Sequence, residues 1–140
     1  MGPYRDPVEQ THLPCICPAG TLYQEPAGQN REFTVSVPLD KPDPAINKIC
    51  GWQSGYKIDK VKEAGLKLEN AEVIHTPGIK QYPLTIECRI LYSQDQDLEK
   101  IPKDILERMY PQDVEGDYPM ANRDFHTMYV GEIVDAYIIR

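Results

Sequence analysis

A short block from Ser54 to Lys60 combines residue types that can hold a charged or polar ligand. Ser54-Gly55 precedes Asp59-Lys60, where a short helix is predicted to begin. A serine hydroxyl, the backbone N–H groups of a turn and one ammonium group can converge there on an anion such as a phosphate. The alternative is structural: a Ser-Gly turn, a helix cap at Asp59 and a solvated Lys60. The spacing alone favours this alternative.

The other chemically capable residues receive structural interpretations. Trp52, the single tryptophan, is interpreted as a core or interface anchor rather than a residue that stacks on a ligand ring. Cys15 and Cys17, with His12 nearby, lack the second ligand pair that a zinc site requires. The acidic side chains between residues 107 and 117 are interpreted as a solvated surface. We therefore predict no metal site.

Length, charge and cysteine content limit the class of protein. The 140 residues fit one domain, covering residues 1–140. A net charge of −7 without a basic cluster argues against nucleic acid as a partner. The first residues do not resemble a signal peptide, and no apolar run approaches the roughly 20 residues that span a bilayer. Four cysteines are too few for a disulfide scaffold. We expect a cytoplasmic protein without a membrane partner.

The first half of the chain changes near residue 31 from a proline-interrupted segment to one with regular alternation of polar and apolar residues. Residues 1–30 carry prolines that interrupt every candidate period, so loop or extended coil is predicted. Residues 32–37 alternate and are rich in β-branched side chains, which predicts a strand whose apolar face is Phe33, Val35 and Val37.

Helix signals follow that strand. Asp43-Pro44 predicts the start of a short helix over residues 45–50, and a second helix is predicted over residues 58–64, before Gly65. A short strand is predicted at residues 71–74. Apolar residues at helical spacing predict an amphipathic surface helix over residues 102–110.

Two long strands are predicted in the second half, at residues 82–92 and 125–139. In the first of them the two faces alternate, with Leu84, Ile86, Cys88 and Ile90 on one side and Thr85, Glu87, Arg89 and Leu91 on the other. This pattern predicts one core face and one face that is at least partly wet. Gly131 in the second strand marks a bulge or a close backbone approach.

Three blocks occur in the order found in the flavin reductase-like, FMN-binding split-barrel family. The block Ser54-Gly55-Tyr56-Lys57-Ile58-Asp59-Lys60-Val61 resembles that family's S-G-x-x-x-D-K-F segment, with Val61 in place of the usual Phe. The block from Leu84 to Leu91 resembles one of its closing strands. His126-Thr127-Met128-Tyr129-Val130-Gly131-Glu132-Ile133 resembles its G-D-H-x-x-x-x-G-E-V motif, with the difference that Arg123-Asp124-Phe125 precedes the histidine and Gly116-Asp117 lies well upstream. The resemblance covers about residue 31 to the C-terminus.

The resemblance implies a fold, a cofactor and a site. It implies a mainly β, split-barrel fold with short helices that binds FMN and exchanges hydride or electrons with NAD(P)H, as flavoredoxins and flavin reductases do. The cofactor-binding residues it implies are Ser54, Gly55, Asp59, Lys60 and His126. His126 is also the implied catalytic residue, placed near the flavin and the nicotinamide. The structural alternative for His126 is a strand-end histidine bonded to a loop carbonyl.

The N-terminal part does not show the family's pattern. In the family, strands before the one at Phe33 carry many flavin contacts, including a loop with an Arg or Lys followed by a Ser or Thr. The segment from Cys15 to Asn30 contains no such loop. We expect a barrel that is divergent or incomplete there. Exposed strand edges are commonly covered by another chain, and the family itself typically dimerises, so a homodimer is expected. The alternative function is that of a degenerate, non-catalytic split barrel with a structural or binding role.

Overall fold

The computed structural model describes residues 12–18, 30–55, 57–115, 122 and 125–140, and within 12–18 it describes the backbone and the Pro14 side chain. The strands are β1 (His12–Pro18), β2 (Glu32–Val37), β3 (Leu68–Glu69), β4 (Gly78–Ile79), β5 (Leu84–Asp95) and β6 (His126–Ile138). The α-helices are α1 (Pro44–Trp52), α2 (Lys60–Glu63) and α3 (Lys103–Met109), and a 3-10 turn spans Leu98–Lys100. The fold is mainly β with short helices, as predicted.

Four strands form the main sheet in the order β1-β6-β5-β2, and every neighbouring pair is antiparallel. The described strands leave this sheet open, while β3 and β4 form a separate two-stranded ladder. Among the described helices, none has the length and apolar character that crossing a bilayer requires.

The predicted helix caps are confirmed. The Asp43 carboxylate accepts a hydrogen bond from the Ala45 N–H at 2.8 Å, and Pro44 is the first residue of α1. The Asp59 carboxylate accepts from the Lys62 N–H at 3.2 Å and begins α2. Gly65 follows with a φ of +62°, a conformation that favours glycine.

The coil predicted for residues 1–30 is wrong at β1. This strand pairs with β6 from His12 opposite Glu132 to Pro18 opposite His126. It lies at the edge of the sheet, where a proline's missing N–H leaves no central ladder bond unmade. Proline is excluded from central strands but tolerated in edge strands. The prediction of coil therefore wrongly excluded an edge strand here. Residues 1–11 and 19–29 lie outside the described residues.

The polar face of β2 binds the chain segment that comprises residues 72–79. The Glu32 carboxylate accepts from the His75 N–H at 2.9 Å. The Thr34 hydroxyl donates to the Pro77 carbonyl at 2.8 Å, and the Ser36 hydroxyl accepts from the Ile79 N–H at 3.3 Å. The 72–79 segment therefore covers one face of the sheet.

Glu87 on β5 is the strongest departure from the predicted pattern. It was expected to be at least partly wet, yet its side chain is 0% exposed beneath the 72–79 segment. Its carboxylate accepts from the N–H groups of Glu72, Val73 and Ile74 at 2.6, 2.8 and 3.0 Å, and from the Tyr137 hydroxyl at 2.7 Å. Arg89, on the same predicted face, is exposed as expected.

The strand predicted at residues 71–74 is absent from the described structure because its backbone donors are used elsewhere. Residues 72–76 form bends, and three successive N–H groups converge on the Glu87 carboxylate rather than on a partner strand. Backbone donors need one partner each, and a charged acceptor is stronger than a carbonyl.

Gly131 lies at a close approach, as predicted. It is opposite Ile90, and the register between β5 and β6 shifts at Leu91 because Tyr92 pairs with Val130. A Cβ atom at Gly131 would lie 2.7 Å from the Phe33 ring and 2.9 Å from the Cβ atom of the fully buried Cys88. A side chain at position 131 would therefore displace the core.

The hydrogen bond between the buried Glu87 and the half-buried Tyr137 predicts how stability depends on pH. Burial by itself raises the pKa of Glu87, but the hydrogen bonds from Tyr137 and three backbone N–H groups lower it below its ordinary value. Burial and the neighbouring Glu87 raise the pKa of Tyr137 to about 12. The Glu87 contribution should be present above the ordinary Glu pKa of about 4.3 and lost in more acidic solution. The Tyr137 contribution should be present below about pH 10 and lost as the pH approaches 12.

Urea unfolding at a series of pH values tests this expectation. Tyr137→Phe should abolish the part of the alkaline loss that Tyr137 causes and should weaken the acid dependence, because it removes one donor to Glu87. An alkaline limb of unchanged size in the Tyr137→Phe variant would contradict the assignment.

Candidate functional site

The connection between α1 and α2 brings together four of the predicted site residues. The Ser54 carbonyl accepts from the N–H groups of Lys57 and Ile58 at 3.0 and 3.3 Å, which closes a turn that includes Gly55. Ser54 and Gly55 are both half-buried. Asp59 and Lys60 follow directly at the start of α2. The block therefore forms one compact corner of the molecule.

Lys60 links the two helices of this corner. Its Nζ atom donates to the Cys50 carbonyl in the last turn of α1 at 2.6 Å. A cation is favourable at that position because the carbonyl groups at a helix C-terminus carry partial negative charge. An ammonium group has three donors, and this bond uses one of them. Lys60 therefore has a structural role and retains donor capacity for an anion.

His126 lies at the first residue of β6, where Gln96 holds its backbone. The His126 N–H donates to the Gln96 side-chain oxygen at 3.2 Å, and its carbonyl accepts from the Gln96 N–H at 2.8 Å. The imidazole Nδ1 lies 3.3 Å from the hydroxyl of Tyr110. The Tyr110 and Phe125 rings pack at 4.9 Å between centroids, at an angle of 51°.

The two parts of the predicted site lie at opposite ends of the β5–β6 ladder. Helix α1 is attached near the start of β5: the hydroxyl of Tyr82, two residues before β5, donates to the side-chain oxygen of Asn47 in α1 at 2.8 Å. Leu84, which starts β5, pairs with Ile138 at the end of β6. From there to His126 the strand runs about 40 Å at the usual rise per residue. Within one chain, the structure groups Ser54, Gly55, Asp59 and Lys60 but does not bring His126 to them.

Several residues considered from sequence have other positions. Trp52 is 85% exposed, so the core part of its interpretation is wrong and the interface part stays a prediction. Cys50 is half-buried and Cys88 is buried, and neither forms a disulfide, while the side chains of His12, Cys15 and Cys17 lie outside the described residues. Within the part of the chain that the structure describes, no cluster of His, Cys, Asp and Glu is suited to a metal ion.

Sequence reasoning did not identify the residues around the His126 ring. Tyr110 is 16 positions away along the chain, and Gln96 is 30 positions away. No local period links these positions, because a long connection separates β5 from β6. The sole available signal was the aromatic pair of Tyr110, directly after α3, and Phe125, directly before β6.

Comparison with known proteins identifies the fold. The chain is similar to flavoredoxin from Methanosarcina acetivorans, with 22% identity over 92% of this chain and 53% of that chain, and a TM-score of 0.58. It is similar to flavoredoxin of Desulfovibrio vulgaris (Miyazaki F), with 18% identity over 92% and 54% of the two chains, and a TM-score of 0.61. It is also similar to an FMN-binding domain of a flavin reductases-like enzyme from Shewanella baltica, with 16% identity over 91% and 53%, and a TM-score of 0.54.

These likenesses show a flavin reductase-like, split-barrel fold, which confirms the resemblance found in the sequence. The chain spans about half the length of the solved structures that it matches. No protein-family model and no curated protein matches the chain.

Proposed function

We propose that this chain binds FMN and carries hydride or electrons between NAD(P)H and the flavin. The observation that carries the proposal is the flavin reductase-like fold, shared over more than nine tenths of this chain with two flavoredoxins and an FMN-binding domain. In such a protein the flavin ring itself supplies the redox chemistry, by accepting a hydride at N5. The residues of the chain then need to bind the flavin, to orient it and the nicotinamide, and to exclude water from the site.

The α1–α2 corner fits an anionic group such as the FMN phosphate. Lys60 brings a positive charge with unused donors, and the half-buried Ser54 and Gly55 belong to the turn that precedes α2. Asp59 caps α2 and so fixes the backbone that carries Lys60. In this proposal, Lys60 binds the phosphate and the other three residues shape the turn.

His126 serves the opposite end of the cofactor in this proposal. A ring nitrogen there can donate to an electron-rich edge of the flavin or orient the nicotinamide. Its half-buried position at a strand end allows contact with a bound ligand, while the bonds to Gln96 keep its backbone fixed.

A homodimer would complete the site. The α1–α2 corner and His126 lie at opposite ends of one ladder, and a two-fold axis can place the corner of one copy beside His126 of its partner. Beyond Arg89, β5 extends past its pairing with β2, and there Leu91 and Tyr92 are 51% and 50% exposed. A partner that covers this apolar overhang would protect it from non-specific pairing.

Light scattering should give about twice the 16.0 kDa chain mass at micromolar concentration. Leu91→Glu should shift the protein toward the monomer by placing a charge in the proposed contact, and Leu39→Glu, at another exposed apolar position, should not. A monomeric wild-type protein would contradict dimerisation and, with it, a site that combines the α1–α2 corner with His126.

Lys60→Ala should weaken FMN binding by about 1–3 kcal/mol, the usual scale of a charge-assisted hydrogen bond. Lys62→Ala on the same helix is the matched control, because the Lys62 side chain is exposed. Equilibrium titration gives the affinity, and urea unfolding gives the stability of each variant. Lower stability with unchanged FMN affinity would mean that Lys60 only links α1 to α2.

The redox half is tested by single-turnover bleaching of protein-bound FMN with NADH and with NADPH under anaerobic conditions. The wild type should bleach, and His126→Ala should slow bleaching more than it weakens FMN binding, because His126 is assigned to orientation and developing charge. Bound flavin that neither nucleotide bleaches would retain the binding role and remove the oxidoreductase role.

The second candidate is a degenerate split barrel without catalytic function. It is favoured by the chain's length, about half that of the matched structures, and by the local bonds that already engage Asp59 and Lys60. A failure of wild-type protein to bind FMN would select this candidate. The cytoplasmic location stays a prediction in either case.

A further inference from the structure

The surroundings of the His126 ring form a defined arrangement at the join between α3 and β6. The Tyr110 hydroxyl lies 3.3 Å from Nδ1 of His126. The Tyr110 N–H donates to the Leu106 carbonyl at 2.8 Å and caps the C-terminus of α3, and Phe125 packs on the Tyr110 ring. Gln96 holds the His126 backbone from the other side. Both partners are therefore fixed by separate elements.

We propose that Tyr110 is a positioning residue that selects the His126 tautomer with Nδ1 as acceptor and Nε2–H as donor. This inference rests on the proposed function, in which His126 meets the flavin or the nicotinamide. It adds the identity of the ring atom that acts and the residue that sets it.

The direction of the hydrogen bond follows from the chemistry of the two groups. A phenol is a good donor at neutral pH, and the unprotonated nitrogen of a neutral imidazole is a good acceptor. With the Tyr110 hydroxyl donating to Nδ1, the ring proton resides on Nε2. Among the described residues none forms a hydrogen bond with Nε2, so the Nε2–H group is available to an acceptor on a ligand.

The consequence for the reaction is directional. An Nε2–H donor stabilises negative charge that develops on a ligand oxygen or nitrogen, whereas an unprotonated Nε2 would repel it. Tyr110 also restricts rotation of the ring, which reduces the ordering that ligand binding would otherwise require.

The tautomer can be determined directly by two-bond and three-bond ¹H–¹⁵N correlation NMR of ¹⁵N-labelled protein. The spectra are recorded at a pH well above about 6.5, the pKa of histidine in model peptides. The chain has three histidines, and the signals of His126 are those lost in His126→Ala. We expect the Nε2–H pattern in the wild type and a measurable population of Nδ1–H in Tyr110→Phe. Tyr82→Phe is the matched control, since the Tyr82 hydroxyl donates to Asn47 at the other end of the β5–β6 ladder. It should leave the pattern unchanged.

Kinetics supply the second readout. Tyr110→Phe should slow single-turnover flavin reduction by about 2- to 10-fold, with FMN affinity changed by less than about twofold. The double variant Tyr110→Phe/His126→Ala should react no more slowly than His126→Ala alone, because Tyr110 acts through His126.

An Nδ1–H tautomer in the wild type, an unchanged tautomer in Tyr110→Phe, or additive rate losses in the double variant would each overturn the inference. If the wild type binds no FMN, the proposed function fails as a whole, and the NMR result still decides whether Tyr110 sets the tautomer.

Discussion

Replacing Glu87 by alanine should lower the free energy of unfolding by about 3–5 kcal/mol, because it removes a buried acceptor from four donors at once. Three backbone N–H groups of the 72–79 segment and the Tyr137 hydroxyl all donate to this carboxylate. Without it, these donors either remain unpaired or draw water into the interior, and the segment loses its attachment to β5.

Two further variants separate charge from shape at this position. Glu87→Gln keeps one acceptor oxygen and should cost less than Glu87→Ala. Glu99→Ala removes an exposed carboxylate and should cost little. Urea unfolding should be measured at one protein concentration, because dimerisation would couple stability to concentration. Equal costs for Glu87→Ala and Glu99→Ala would show that the 72–79 segment does not depend on Glu87.

Replacing Gly131 by alanine should lower the free energy of unfolding by about 1–3 kcal/mol, the usual cost of overpacking a core. The added Cβ would lie 2.7 Å from the Phe33 ring and 2.9 Å from the Cys88 Cβ atom, distances at which atoms must move. The Phe33 ring can rotate, but the Cβ atom of the fully buried Cys88 is attached directly to the backbone of β5 and cannot move without it. The strand would have to shift.

Gly51→Ala is the matched control for this substitution. Gly51 lies within α1, and a Cβ atom there would meet no atom within 4 Å. Alanine is favoured over glycine in a helix, so this change should stabilise the protein by about 0.5–1 kcal/mol. Thermal or urea unfolding that gives both variants the same sign would contradict the packing described around Gly131.

Local signals were sufficient for the elements that they specify. Alternation located β2, β5 and β6, and the side chains of Asp43 and Asp59 located the starts of α1 and α2, because a cap acts within three residues. Gly131 predicted a close approach of neighbouring atoms to the backbone of β6, because glycine inside a strand often marks such a site.

The errors came from contacts between distant segments. The face of β5 that contains Glu87 reads as wet, but the 72–79 segment covers it and supplies donors for the carboxylate. Glu87 pairs with Asp135 and Cys88 with Ile133, so Val134 has no partner on β5. This extra residue breaks the alternation of faces along β6 relative to β5. For β1, the prolines indicated coil, whereas an edge position accommodates them.

The candidate site shows the same division. The block from Ser54 to Lys60 is contiguous, so the sequence could predict that its members lie together, and they do. The distance of this block from His126, and the contact of His126 with Tyr110, depend on strand register and on the path between β5 and β6. Neither is visible in a local pattern.

Flavin binding by the wild-type chain is the most direct test of the central proposal. The purified protein is mixed with excess FMN, separated from free ligand by gel filtration, and its visible absorbance spectrum is recorded, with Lys60→Ala carried through in parallel. We predict a flavin band that co-elutes with the protein at up to one FMN per chain and is weaker for Lys60→Ala. Protein that elutes without flavin, and that shows no FMN binding at near-millimolar concentration, would contradict the proposed function.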